Sequence, residues 1–141
     1  MTFDTLRCTA LLENLDQVTG FIEEAADHFG LETKKKFGLL VAAEEAFVNV
    51  CHYAYPDTTG EVTISCGSDN EAFVLEIADS GAPFDVLSLP DPDTTADIMD
   101  RQIGGLGVYF IRTLTDLVSY RREEGLNILQ MVLYKTGEPR S

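Results

Sequence analysis

The sequence predicts an α+β fold, a two-layer sandwich with a mixed, mostly antiparallel sheet and helices on one face. Three observations predict it. Residues 12–29 and 34–55 place apolar side chains at helical spacing. Residues 61–67 with 71–78, and 116–122 with 126–135, alternate apolar and polar side chains around turn-forming residues, the pattern of hairpins. The resulting order is strand, helix, helix, hairpin, long loop, helix, hairpin. Hairpins outnumber crossovers in that order, so antiparallel neighbours build the sheet and the helices cover one side.

Each element has its own signal. Residues 2–10 carry Phe3, Leu6, Cys8 and Ala10 and read as a first strand with imperfect alternation. In the first helix Leu12, Leu15, Val18, Ile22, Ala25, Ala26 and Phe29 recur on one face, and Gly30 stops it. Thr33 is a capping residue for the second helix, from about Lys34 to Tyr55. At about 100° per residue, Phe37, Leu40, Val41, Val48, Cys51 and Tyr55 form its apolar face, with Glu44 near the middle of that arc. Pro56-Asp57-Thr58-Thr59-Gly60 turns the chain into the first hairpin, which reverses at Ser68-Asp69-Asn70. Residues 80–103 hold Pro83, Pro90 and Pro92 and many aspartates; they read as a loop with one short helix near Thr95–Asp100. Loops of that length inside a small domain are usually lids or binding loops. A third helix starts after Gly105-Leu106-Gly107 and runs to about Leu114, and the last hairpin turns at Glu124-Gly125.

Composition narrows the function classes. A chain of 141 residues fits one domain, here taken as 1–141, that needs no disulfides. The net charge of −14 repels phosphate backbones and anionic lipid, so no direct nucleic-acid or membrane contact is expected; a basic partner face suits it better. Cys8, Cys51 and Cys66 have no metal-ligand spacing and read as reduced apolar fillers. Without a basic segment followed by an apolar core at the N-terminus, the expected location is cytoplasmic.

Three segments carry candidate chemistry. On the second helix Glu45 and Asn49 stand four residues apart on one edge, with His52 three further on. An amide oxygen is a hard ligand suited to magnesium, and a carboxylate one turn away can orient or deprotonate an attacking hydroxyl. Glu44 is the odder residue, because an ionised carboxylate inside an apolar arc is costly unless paired. Next, Asp79-Ser80-Gly81-Ala82-Pro83-Phe84-Asp85 follows a strand. A carboxylate there can accept a hydrogen bond from an exocyclic amine such as adenine N6, and Gly81 allows close approach to a flat ring. Finally, Gly104-Gly105-Leu106-Gly107 opens a helix, where N–H groups can converge on an anion, with Arg101 and Arg112 as nearby cations. Arg101 precedes the loop, within reach of a terminal phosphate. Each segment alone is also what a solvated helix edge, a plain turn or a flexible loop looks like; the combination and its order are the specific signal.

In that combination the chain resembles the Bergerat-fold ATPases, the histidine-kinase-like superfamily of gyrase, heat-shock chaperones, histidine kinases and DNA mismatch-repair proteins. Within it, Glu44-Glu45-Ala-Phe-Val-Asn49-Val-Cys-His52-Tyr-Ala-Tyr55-Pro56, Asp79-Ser-Gly81-Ala-Pro-Phe84-Asp85 and Gly104-Gly105-Leu106-Gly107-Val-Tyr-Phe-Ile-Arg112 are similar to the anti-sigma factor serine kinases. The resemblance implies that Asn49 holds Mg2+ and Glu45 is the general base. It implies that Asp79 binds the adenine amine with Gly81 and Phe84 beside the ring, that Gly104, Gly105, Leu106 and Gly107 line the phosphates, and that residues 86–103 form the ATP lid. It further implies a small antagonist protein as phosphoryl acceptor, a sigma factor as sequestered partner, and a homodimer. The chain departs from the pattern at Pro83, where a second glycine is frequent, and at Tyr53, where a histidine is common. A threonine frequent on the last strand pair has no clear counterpart; Asn127 and Gln130 are the candidates to replace it. The alternative to a kinase is a nucleotide-dependent interaction module of the same fold with weak catalysis.

Overall fold

The computed structural model describes residues 2–88 and 103–135, the backbone alone for 103–107. Five strands form one sheet: β1 (Phe3–Thr9), β2 (Glu61–Ser68), β3 (Ala72–Asp79), β4 (Leu117–Glu123) and β5 (Leu126–Tyr134). Three helices pack on it: α1 (Leu15–Phe29), α2 (Thr33–Tyr53) and α3 (Ile103–Leu114). The strand order is β1-β2-β3-β5-β4, and every neighbouring pair is antiparallel. The sheet is therefore wholly antiparallel rather than mixed. β4 follows the α3 crossover but takes the edge, and β5 inserts between it and β3.

Alternation along the strands sorts the two faces. Val62, Ile64 and Cys66 of β2, Leu75 and Ile77 of β3, and Leu129, Met131 and Leu133 of β5 are buried in one cluster. They meet Val18 and Ile22 of α1, Leu39, Ala43 and Phe47 of α2, and Val108 and Ile111 of α3 there. The opposite face carries a polar row in register, Thr5, Ser65, Glu76, Gln130 and Ser119. Gln130 donates to Glu76 at 2.7 Å, and Thr5 and Ser65 lie 3.4 Å apart.

The terminators work as their chemistry requires. Gly30 takes φ 86° and its N–H reaches the carbonyls of Ala26 and Asp27, ending α1 in the left-handed conformation that glycine adopts at low cost. Asp69 closes the first hairpin by accepting from the N–H groups of Glu71 and Ala72 at 2.8 and 2.9 Å, and those bonds hold its carboxyl below the usual range. Glu124 and Gly125 take φ 50° and 80°, the backbone of a two-residue hairpin turn. At the far end, Lys35 binds the Asp116 carboxylate at 2.9 Å and the Tyr134 carbonyl at 3.0 Å, tying the start of α2 to β4 and β5.

The second helix corrects the sequence reading. Its buried face is Gly38, Leu39, Ala42, Ala43, Ala46, Phe47 and Asn49; Phe37 is 70% exposed and Glu44 lies on the exposed side. The small residues let α2 sit close to its neighbours, and a Cβ at Gly38 would already touch Leu114 at 3.4 Å. The expected arc is therefore partly right: Leu40, Cys51 and Tyr55 pack partly buried against the core, but its centre moves to Leu39 and Phe47, and Glu44 needs no partner because it is solvated. Thr33 is the first helical residue rather than the cap; Glu32 takes the cap position with extended backbone and no side-chain bond. Helix α3 begins at Ile103, so Gly104–Gly107 form its first turn instead of preceding it. Glycine is permissive enough for either conformation. Beyond Asp79 the chain makes a 3₁₀ turn at Val86–Ser88. The short helix expected near Thr95–Asp100, and most of the expected 86–103 lid, lie outside the described residues.

Candidate functional site

Two polar residues break the apolar inner rows of the sheet. Asp79 ends β3, Asn127 stands opposite it on β5, and both are buried. Asn127 Nδ2 donates to Asp79 Oδ1 at 2.8 Å and to the Ala82 carbonyl at 2.9 Å. Its Oδ1 accepts from the Tyr120 hydroxyl at 2.6 Å and from the Phe84 N–H at 3.2 Å. An amide has two N–H groups and two lone pairs, so every bonding position of this one is used. Asn127 thereby fastens β3, the loop at 82–84 and β4 to one point. Asp79 Oδ1 also accepts from the Gly81 N–H at 2.9 Å. The loop is thus built around one carboxylate oxygen.

The backbone of that loop packs on the end of α2. Ala82 N–H donates to the Ala54 carbonyl at 3.0 Å, and a Cβ added at Gly81 would lie 2.2 Å from the same oxygen. The glycine is demanded here by the helix end. Arg122 donates to the Gly81 carbonyl at 2.9 Å from the other side. Tyr55 completes the join: its hydroxyl donates to the Glu61 carbonyl at 2.6 Å and accepts from the Ser80 N–H at 2.9 Å.

Between α2 and the ends of β3 and β5 is a cavity whose wall includes Asn49, Asp79, Phe84, Val86, Tyr120 and Asn127. Asn49 is 5% exposed, and its Nδ2 has no hydrogen-bond partner among the described residues. A buried amide left open in this way costs about 1–3 kcal/mol unless something else satisfies it. It is the one orphaned side-chain atom of its kind among the described residues, and it faces the cavity that holds Asp79.

The sequence-predicted residues divide accordingly. Asn49, Asp79 and Phe84 share the cavity. Glu45 stands one turn before Asn49, half-buried and outside the cavity wall; burial first, and the charge of Glu44 second, hold its carboxyl above the usual range. Gly81 lies in the adjoining loop. His52 is exposed. The backbone of Gly104, Gly105, Leu106 and Gly107 is helical, and Arg101 lies outside the described residues. Arg112 donates to the Leu87 carbonyl, holding α3 to the 3₁₀ turn. Of the two replacement candidates, Asn127 joins the site and Gln130 faces away on the open side of the sheet. Tyr120 and Arg122 were not expected. Their signal was parity: both fall on the inward side of β4 beside Val118.

A family model described as "Histidine kinase-like ATPase domain" matches residues 8–133. The chain belongs to that family. The α+β sandwich and the expected resemblance are thereby borne out. Among curated relatives, the serine-protein kinase RsbW of Bacillus cereus strain G9842 is 32% identical over 93 residues, covering 63% of this chain and 58% of that protein. The chain therefore matches less than two thirds of the length of that relative. The serine/threonine-protein kinase BtrW of Bordetella bronchiseptica is 25% identical over 136 residues, covering 96% of each. A crystal structure of the RsbU and RsbW domains of a Mycobacterium tuberculosis protein superimposes with a TM-score of 0.68 at 10% identity, over 98% of this chain and 34% of that one. That likeness concerns the fold. In family terms, the cavity between α2 and the end of β3 lies in an ATPase domain.

Proposed function

We propose that this chain is an ATP-dependent protein-serine kinase of the partner-switching type, acting in the cytoplasm. The observation that carries the proposal is the shared cavity: an unsatisfied buried amide, Asn49, and a buried carboxylate, Asp79, face one space in a histidine-kinase-like ATPase domain. Relatives named as serine kinases give the reaction class.

In this reading Asp79 accepts from the adenine exocyclic amine while Asn127 keeps the carboxylate in place. Phe84 and Val86 supply the apolar wall for the ring. Gly81 holds the loop against Ala54 so that Asp79 keeps its orientation. The amide oxygen of Asn49 suits Mg2+, which when bound offsets the charge on the phosphates. The last residue of α3 packs at Gly38, near the start of α2. Helix α3 packs against α2, and in this reading its first turn, with Gly104, Gly105, Leu106 and Gly107, lines the phosphates, the N–H groups at the very start of the helix being open to an anion. Arg101 supplies a cation to the terminal phosphate. Glu45 accepts the proton of the attacking serine hydroxyl, as a carboxylate with a raised pKa can near neutral pH.

The phosphoryl acceptor is a small antagonist protein, the sequestered partner a sigma factor, and the working form a homodimer; the acidic surface suits basic patches on such a partner. A second reading, an ATP-dependent interaction module with weak catalysis, draws on the position of Glu45 outside the cavity wall. Labelled ATP and a candidate antagonist protein separate the two. Phosphoserine that forms with the native chain and disappears in Glu45→Gln, with ATP binding retained, supports the kinase. Tight Mg-ATP binding with no transfer supports the module, and no binding at all removes both.

A further inference from the structure

The cavity is smaller than the base proposed to occupy it. At about 40 Å³ it has room for roughly three waters. A purine enters only if part of the wall moves. Most of the wall is regular structure: Asn49 and Val50 on α2, Ile77 on β3, Tyr120 on β4 and Leu129 on β5. Phe84 stands apart, in the loop between β3 and the 3₁₀ turn. Asn127 fixes its backbone. Its ring is held by something else. The Tyr53 ring stacks on it with centroids 5.1 Å apart and planes 18° from parallel. Tyr53 is the last residue of α2, is 43% exposed and does not line the cavity. It backs Phe84 from the solvent side.

We infer that Tyr53 is a positioning residue for the nucleotide site: it holds the Phe84 ring in the wall of the closed cavity, and breaking this stack is the step that makes room for the base. The inference rests on the ATP-binding reading above. It concerns a position where the chain departs from the pattern it otherwise resembles, and it ties the helix that carries Asn49 to the loop that follows Asp79. The neighbouring His52 ring is 6.1 Å from Tyr53 and tilted by 57°, so it does not extend the stack. Loss of a stacked aromatic pair shifts an opening equilibrium by roughly two- to tenfold.

Stopped-flow fluorescence with Mg2+ and ribose-labelled fluorescent ADP tests this on the full chain, with Tyr53→Ala, Tyr53→Leu and Tyr53→Phe. Association should accelerate, and the dissociation constant fall, by about two- to tenfold in the Ala and Leu variants. The release rate should change by less than the association rate, because bound base already keeps Phe84 displaced. Tyr53→Phe keeps the ring and should keep native rates. The Leu variant preserves apolar bulk and carries the test if the Ala variant folds poorly. Native rates in folded Ala and Leu variants overturn the inference, as does a Phe variant as fast as Ala. Should the native chain bind no nucleotide, the ATP reading falls and this inference with it; intact binding with unaltered rates removes this inference alone.

Discussion

Asn127 shows how much one side chain can organise. Its amide makes four hydrogen bonds to three different parts of the fold, and Asp79 depends on one of them. Replacing it by Leu leaves the Ala82 carbonyl, the Tyr120 hydroxyl and the Phe84 N–H without their partner. The expected result is a stability loss of about 2 kcal/mol in urea denaturation and at least a tenfold weaker ATP affinity by calorimetry. Unchanged affinity would show that Asp79 needs no support from β5. Glu45 gives a prediction in pH. A base works only when ionised, so a raised pKa moves the onset of phosphoryl transfer to higher pH than an ordinary carboxylate gives. Glu44→Gln removes the like charge that contributes to the shift. The rising limb of the pH–rate profile should move to lower pH in that variant, and a limb that stays in place would separate Glu45 from the chemistry. The thiols need no function: burial pushes Cys66 up to about 12 and Cys51 up to about 11. Both are protonated and unreactive at neutral pH.

At the scale of elements, contrasting glycines separate packing from flexibility. Gly81 joins the loop after β3 to the end of α2, where an added Cβ meets the Ala54 oxygen at 2.2 Å. Gly81→Ala should displace that loop, lower the melting temperature by several degrees and abolish nucleotide binding, since Asp79 moves with it. Gly20 sits inside α1 with nothing within 4 Å of the added Cβ. Gly20→Ala should stabilise the chain by about 1 kcal/mol through helix propensity, with nucleotide affinity unaltered. A pair of melting curves decides both; a harmless Gly81→Ala would mean that the loop is free to reposition. Helix α2 carries the wider lesson. Beside Leu39, Phe47 and Asn49, its inner face carries Gly38, Ala42, Ala43 and Ala46, and close approach to the neighbouring elements depends on the small size of these four.

For the whole molecule, charge is the dominant sequence-level quantity. A net charge of −14 on 141 residues repels itself in the compact state. Raising sodium chloride from about 0.05 to about 0.5 M shortens the Debye length from more than about 10 Å to less than about 8 Å. Stability in urea should therefore rise with salt, while affinity for a basic partner falls. Stability that declines over this range would place the net electrostatic balance with attractive pairs such as Lys35–Asp116 instead. The far face of the sheet carries the Thr5, Ser65, Glu76, Gln130 and Ser119 row, flanked on the same face by Val74, Ile128 and Val132.

The sequence alone set the element order, both hairpin turns and the stop at Gly30, and it singled out Asn49, Asp79 and Phe84, which the fold brings to one cavity. These are local in origin: turn chemistry, alternation and short motifs act within a few residues. Tertiary structure alone decided which face of α2 is buried, because large apolar residues stand on several sides of it, Leu39 and Phe47 toward the core and Phe37 toward solvent, and their spacing does not rank them. It also decided that β5 separates β3 from β4, and that Asn127 rather than Gln130 supports Asp79. Strand parity distinguishes those two only once the pairing of β3 with β5 says which side faces the helices. A hydrogen bond between residues 48 positions apart is a property of that pairing, and no window along the chain contains both of its ends.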